Sequence, residues 1–515
     1  MSLTKVKGSV WDSGDNGLFV SAKDFGAVGD GVTDDTTALT AFFSQISSSP
    51  GNYILPYGNY LTTAKQTISS SNSVLSAYGA KLTASGSLSS TDILQVTGNY
   101  VQIYGLHFNG ASKTSVSGLR ITGDHFTGVD LVASDCYEGG ITSGGSSHYT
   151  YLLHPTTYRC KYTSSSQYGA VHIRGDKSLI DSAYCADGLT TGISVFSADD
   201  VQIVNANIYG DNITGGSTSG GIIFDGLCRN VQVRGGKIKD CVVEGIQVAG
   251  RASYGAATEG FLIDGVSIEN CAVTGITIYA DTLGYTKYGK ISNCHIKSSQ
   301  TTTKGIDVNG CVDVEIYSNT IDGYDQNIGA SARADRIIIH DNLLYNGNTR
   351  GISMGSMRDS EAYSNEIHGK IATTSGVRGI NSSNTSGLRI YDNDIFDCLI
   401  GVEAAGSFSP TDRVINNNLH NCTTPLSYSA YPTNQKSSEN YWDSFVKNGE
   451  LTLVAGTKSV VHSGFPGTDA KVRLVLKTES GTVGATYINS KSASGFVVNS
   501  TSGSDTSTLS YTVDY

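Results

Sequence analysis

Proline and tryptophan are almost missing from this chain, with 7 and 2 copies in 515 residues, and charged side chains make up only 16% of it. Glycine is plentiful at 61 copies, but neither the proline content nor the strict glycine period of collagen accompanies it, so a triple helix and a largely α-helical protein are both excluded. No run of basic residues occurs, and the net charge of −11 argues against a nucleic-acid partner. No apolar stretch is long enough to cross a membrane. The opening segment, Met1 to Gly8, lacks the apolar core of a secretory signal, so synthesis in a cytoplasm without a standard export signal is expected. Neither a Cys-x-x-Cys pair nor a His–Cys metal spacing is found, and no metal or cofactor is expected.

What the chain does have is a phrase that returns: glycine, Ile or Val, any residue, another aliphatic. It stands at Gly118-Leu-Arg-Ile121, Gly192-Ile-Ser-Val195, Gly221-Ile-Ile-Phe224, Gly245-Ile-Gln-Val248, Gly275-Ile-Thr-Ile278, Gly305-Ile-Asp-Val308, Gly351-Ile-Ser-Met354 and Gly401-Val-Glu-Ala404, with a weaker copy at Ala170-Val-His-Ile173. The interval, roughly 22–30 residues, is a solenoid period. Each copy is one short strand whose alternate side chains face inward. A second phrase travels with it, as in Val201-Gln-Ile203, Val231-Gln-Val233 and Ile337-Ile-Ile339, and a third follows, as in Asn205-Ala-Asn-Ile208. Three strands per turn with Gly and Asn at the corners predict an all-β fold, a parallel β-helix. Such a fold carries a long chain without several domains because each coil contacts only its neighbours.

The repeat also assigns polar residues. Cys241, Cys271, Cys398 and Cys422 lie at one phase, three residues after the third-strand aliphatic, which predicts stacked, buried, free thiols. Asn319, Asn342, Asn365, Asn393 and Asn417 share another phase in successive turns, so their amides can bond one another along the axis.

Residues 1–20 form a short irregular arm. Thr33, Asp34 and Asp35 then supply N-cap and first-turn groups for a helix near 34–46, with Ala38, Leu39, Phe42, Phe43 and Ile46 on one face to cover the open end of the stack. The stretch Asp24-Phe-Gly-Ala-Val-Gly-Asp-Gly-Val-Thr-Asp-Asp-Thr-Thr-Ala-Leu39 resembles the opening motif of the pectate-lyase-superfamily right-handed β-helices, common in bacteriophage tailspike depolymerases. The motif is specific for the fold and weak for the reaction, since hydrolases, lyases, epimerases and binders share it. The β-helix is expected over 21–430. Beyond it, alternating stretches such as Leu451–Val454, Lys471–Leu476, Ala485–Ile488 and Gly495–Val498 predict a small antiparallel β-domain over 431–515.

Counting from each glycine, offsets two and four point outward and offset six falls at the strand end. Charged and aromatic residues at these offsets gather in the coils from 170 to 310. Asp225 and Asp281 lie two coils apart, so their Cα atoms should be roughly 10–12 Å apart. Carboxyls leaning together would reach the roughly 6.5–9.5 Å of an inverting glycosidase. Asp307 is a reserve carboxylate and Glu244 a more distant one. Tyr279 and Phe196 are candidate sugar platforms, with Arg251, Arg174, His172 and Gln247 as further substrate contacts. Arg251 between the two aspartates also allows a plain surface ion-pair ladder. A site between subunits would instead draw on Asp313, Glu315, Asp335 or Glu366.

The resemblance implies a phage tailspike that cleaves a bacterial capsule, O-antigen or exopolysaccharide, made in the host cytoplasm and acting from the virion tail. It further implies a homotrimer, a C-terminal domain that trimerises or binds carbohydrate, and an N-terminal arm joined to tail or baseplate proteins. Hydrolysis by paired carboxylates is the leading expectation. A lyase acting on uronic acids, using His172, Arg174, Arg251 and Tyr279, is the rival, although Arg-x-Pro-x-x-Arg and Gly-His-Gly are both lacking. A non-catalytic adhesin is the second class and a structural shaft the third.

Overall fold

The computed structural model describes residues 19–160, 169–187, 191–210, 220–251, 257–283, 286–299, 304–330, 332–369, 376–383, 385–405, 412–428, 440–442, 447–453, 457–461, 471–478, 484–492 and 495–514. The recurring glycine phrase forms one continuous 15-stranded parallel sheet, from Gln66–Ile68 to Thr424–Tyr428, here called the glycine sheet. Its register superposes the first aliphatic of each copy: Ile222 on Ile246, then Ile276, Ile306, Ile328, Ile352, Ile380 and Val402. All of these side chains are buried. The second phrase builds an 18-stranded sheet and the third strand of each turn a further parallel sheet, so the solenoid has three faces around one core.

The glycine at the start of each strand is a packing requirement. A Cβ on Gly245 would lie 2.6 Å from the Gly275 carbonyl oxygen and 2.7 Å from Ile268 Cγ2. The sheet therefore turns its corner directly over the third-sheet isoleucine. Some turns depart from the phrase. At Ile141–Ser143 the last aliphatic is a serine. At Gln326–Gly329, Asn327 takes the glycine's place, and its amide donates to the Tyr345 carbonyl oxygen at 3.0 Å.

The corner between the second and third sheets is a single left-handed residue, filled by Asn205, Asn293, Ser318, Asp341, Ser364, Asp392 and Asn416, or by Gly235 and Gly265. This conformation is open to glycine and tolerable for short polar side chains, which accounts for much of the composition.

The asparagine ladder forms as expected and extends one rung further. Asn319 Nδ2 donates to Asn342 Oδ1 at 3.0 Å, and the same bond links Asn342 to Asn365, Asn365 to Asn393, Asn393 to Asn417 and Asn417 to Asn440 at 2.8–2.9 Å. Parallel pairing persists to Tyr441–Trp442. All ten cysteines are buried and free, with Cys241 against Cys271 and Cys398 against Cys422.

The capping helix spans Thr36–Ser48 and buries Leu39, Phe42, Phe43 and Ile46. Its start differs in detail from expectation. Asp34 Oδ1 accepts from Thr36 N at 3.0 Å, whereas Asp35 turns back to accept from Val28 N and Gly29 N at 2.6 and 3.0 Å. Asp35 thereby ties the opening loop to the helix. At the other end, two three-stranded antiparallel sheets are formed: Lys447–Thr452, Thr508–Asp514 and Lys471–Thr478, and Thr457–Val461, Gly495–Ser500 and Thr486–Ser492. Among the described residues no helix is long and apolar enough to cross a membrane.

Candidate functional site

The glycine sheet brings the expected columns into register on its outward face. At offset four, Phe196 pairs with Asp225, Ala249 with Tyr279, and Tyr279 with Asn309. At offset two, His172 pairs with Ser194, Gln247 with Ile223 and Thr277, and Thr277 with Asp307.

The outward face is less solvated than alternation suggests. Asp225 is only 1% exposed and His172 4%. Outward side chains here cover one another. His172 Nδ1 meets Ser194 Oγ at 2.8 Å, and that hydroxyl accepts from Gly169 N at 2.6 Å. Desolvation, helped by the Arg174 charge, pulls the His172 pKa down to about 3. His172 is therefore neutral at physiological pH and a weak base. Arg174 lies over the Phe196 ring, its guanidinium carbon 5.3 Å from the centroid.

Asp225 is the focus of the cluster. It ends its strand at a turn made by Gly226 (φ +80°), where a Cβ would lie 2.4 Å from Ser197 Oγ. One carboxylate oxygen, Oδ1, accepts from Gly226 N at 2.8 Å and Arg251 Nε at 3.0 Å. The other, Oδ2, is buried without a hydrogen-bond partner. Burial pushes the carboxyl pKa up, Arg251 and Gly226 N–H pull it down, and the charge of Asp281 adds a smaller upward push, for a net rise. The Arg251 guanidinium also lies 6.0 Å from the centroid of the Tyr279 ring. Asp281 follows at the exposed end of the next strand, its N–H donating to the Gly250 carbonyl oxygen.

Asp225, Arg251, Tyr279, Asp281 and Phe196 are thus one neighbourhood. Asp307 and Glu244 lie outside it. Asp307 is three strands from Asp225, about 14 Å, and is held by Lys304 Nζ at 2.6 Å and Asn309 Nδ2 at 2.7 Å. Glu244 opens the strand that Ala249 nears the end of, about 16 Å away, where burial raises its pKa. Gln247, half-buried, lies between them.

The carboxylates on other faces are engaged locally: Asp313 by Arg336 at 2.6 Å, Glu315 by Lys290 at 2.7 Å, Asp335 by Arg333 at 2.5 Å and Glu366 by His368 at 2.6 Å. A groove of about 520 Å³ on the 18-stranded sheet runs among Tyr288, Lys290, Glu315, Arg336, Glu361 and Arg389, whose charges are largely matched to one another. One feature the offset count misses is a cation directly before the glycine, at Lys304, Arg350 and Arg378. Its signal in the sequence is the repeated Lys-Gly-Ile or Arg-Gly-Ile.

Against known structures, a tailspike variant of E. coli bacteriophage HK620 in complex with a pentasaccharide matches over 96% of this chain and 93% of its own, with 12% identity and a TM-score of 0.55. The chain has the tailspike β-helix fold. The pre-mature gene product 12 of bacteriophage phi29 aligns over 81% of this chain and 57% of its own, with 16% identity and a TM-score of 0.56. The Pseudomonas phage phi297 tailspike gp61 aligns over 97% and 99%, with 12% identity and a TM-score of 0.48. Residues 444–513 match the family model described as K1 capsule-specific polysaccharide lyase, C-terminal domain, and residues 249–459 that described as periplasmic copper-binding protein (NosD). Among the described residues no group of three or more His, Cys, Asp or Glu is placed to hold a metal ion. No curated protein matches the chain in sequence.

Proposed function

We propose that the chain binds and depolymerises a bacterial surface polysaccharide by glycoside hydrolysis, with Asp225 as general acid and Asp281 as the base that activates water. The observation carrying this reading is the Asp225 carboxyl. It is buried on an outward face, one oxygen is unpartnered, and its pKa is raised while the nearby Asp281 is exposed. A buried carboxyl with a raised pKa beside an exposed one is the pairing that acid and base roles require. Tyr279 and Phe196 on either side would hold sugar rings, and Arg251 orients Asp225 and restrains its ionisation equilibrium. Asp225→Asn and Asp281→Asn should each lower the release of reducing ends by orders of magnitude while sparing polysaccharide binding. Full activity in both would move the chemistry elsewhere.

A second reading has support in the position of Arg251 between Asp225 and Tyr279. A guanidinium there can neutralise a uronate carboxylate while the tyrosine, as phenolate, takes the C5 proton. The phenol then returns it to the departing glycosidic oxygen as the C4–O bond breaks and a C4=C5 double bond forms, which is elimination rather than hydrolysis. The family name matched by residues 444–513 is that of a lyase. Ultraviolet absorbance from unsaturated sugar ends separates the two. Binding without any shortening of the polymer would favour an adhesin.

The assembly that goes with this reading is a homotrimer on a virion tail, clamped by the C-terminal sheets beyond about residue 430, which trimerise or bind carbohydrate. The attachment arm, 1–20, lies almost wholly outside the described residues. Light scattering of a 54.1 kDa particle would exclude the trimer.

A further inference from the structure

We propose that Arg350 is an anion-binding subsite for a sugar carboxylate, so that the polymer read by this face is an acidic polysaccharide; the inference rests on the sheet face proposed above as the polysaccharide groove. The residues one place before the glycine form a column in register: Glu244, Thr274, Lys304, Gln326, Arg350 and Arg378. Within it the charges are unevenly matched. Lys304 is nearly buried against Asp307, which Asn309 also holds. Arg378 is ion-paired with Glu403, which accepts a further bond from Asn381 Nδ2 at 2.5 Å. Arg350 stands between these pairs, and among the described residues no carboxylate pairs with it. Asp325 on the preceding turn is taken up by the Thr349 hydroxyl, at 3.1 Å.

The Nε of Arg350 is buried and has no hydrogen-bond acceptor. A buried guanidinium N–H without an acceptor is unfavourable, and in folded proteins such groups are paired or meet a ligand. Beside Arg350 the next outward column runs Asp307, Gly329, Ser353 and Asn381, so its two small residues lie between larger polar ones. A Cβ at Gly329 would lie 2.8 Å from Gln326 Oε1, 3.2 Å from Ser353 Cβ and 3.4 Å from Lys304 Cδ. The flanking side chains therefore lean over a glycine floor, a shallow trough with one unmatched positive charge at its edge.

The geometry connects this trough to the reacting groups. Arg350 is three strands from Tyr279 and five from Asp225 along the same sheet, and five residues nearer the strand start, so the Cα separations are about 22 and 29 Å at the usual strand spacings. A polysaccharide crossing the sheet obliquely, with one ring at Asp225, would reach both. Carboxylate is the anion whose planar geometry fits a guanidinium edge through two parallel bonds. In a chain of net charge −11, a local cation is also what admits an acidic polymer.

The test uses the full chain and matched probes: glucuronate octamers derived from oxidised cellulose, the same octamers after carboxyl reduction, and a phosphorylated cello-oligosaccharide. Titration by calorimetry at low salt should show binding of the glucuronate probe at least tenfold tighter than of its reduced form. Arg350→Gln should remove that preference, and Arg350→Lys should keep part of it. Arg336→Gln, on another face, should leave it intact. Equal affinity for the acidic and reduced probes, no binding of the acidic probe, preference for the phosphate probe alone, or an unaltered preference in Arg350→Gln each overturns the assignment. The catalytic reading fails separately, because Asp225→Asn is expected to keep the carboxylate preference while losing turnover.

Discussion

Two stretches of the solenoid use the same period for opposite ends. From Asn319 to Asn440 one column of asparagines points inward, and each rung is hydrogen-bonded to the next. Asn365, for example, donates through Nδ2 to Asn393 Oδ1, the Ile339 carbonyl oxygen and the Tyr363 carbonyl oxygen at 2.9–3.0 Å, while its Oδ1 accepts from Asn342. In turns 170–283 two outward polar residues, His172 and Asp225, are nonetheless buried, and Asp225 keeps one oxygen unpaired. A satisfied buried network stabilises and specifies the fold, whereas an unsatisfied buried carboxyl retains a raised pKa available for chemistry. The contrast is between a buried polar column that is paired throughout and a buried carboxyl that is not.

The largest expected effect falls on the outward cluster alone. Asp225→Asn should lower turnover about 10²–10⁴-fold, the range removed with a general acid, with the β-rich circular dichroism spectrum unchanged. Asn365→Ala should do the reverse. It leaves several buried donors and acceptors unmatched and should cost about 3 kcal/mol of stability, measured as a lower urea midpoint, with the folded fraction fully active. Loss of activity in the asparagine variant, or of stability in the aspartate one, would break the comparison.

Smaller effects sharpen it. Tyr279→Ala should raise KM about tenfold through the lost ring face, leaving the unfolding midpoint near its starting value. The pH dependence of stability gives a further contrast, because Asp225 has a folded-state pKa above its unfolded value of 3.8. Its stabilising contribution is complete below that value and is lost as pH rises through the folded pKa, so stability from this group declines upward from about pH 4. Asp225→Asn should flatten that decline in urea midpoints taken between acidic and neutral pH; an unchanged slope would place its pKa back at the ordinary value. The exposed Arg336–Asp313 pair is the lower bound, and Arg336→Ala should cost at most about 1 kcal/mol.

Much of this architecture was legible because a solenoid repeats its packing problem. Glycine before Ile marks the corner over the third-sheet isoleucine, and equal phase along the chain becomes stacking in space, as Cys241 on Cys271 and Asn342 on Asn365 demonstrate. Asn440 was missed because the phrase around it fades before the ladder does. The Asp35 tie to Val28 and Gly29 was missed because an N-cap position does not say which way its carboxylate turns.

The periodic spacing of aliphatics, glycines and asparagines determined by itself the three-faced β-helix, its capping helix and the sheet on which charged and aromatic residues gather. Only the tertiary structure decided which of those residues act together. Turn lengths vary, so the neighbour of an outward side chain is often set by strand pairing between coils: Asp225 takes Arg251 and Arg378 takes Glu403, whereas Asp307 takes Lys304 from its own strand and Arg350 is left with no carboxylate among the described residues. Burial and charge balance at one rung depend on rotamers contributed by the rungs on either side, and those are fixed only once the coils stack.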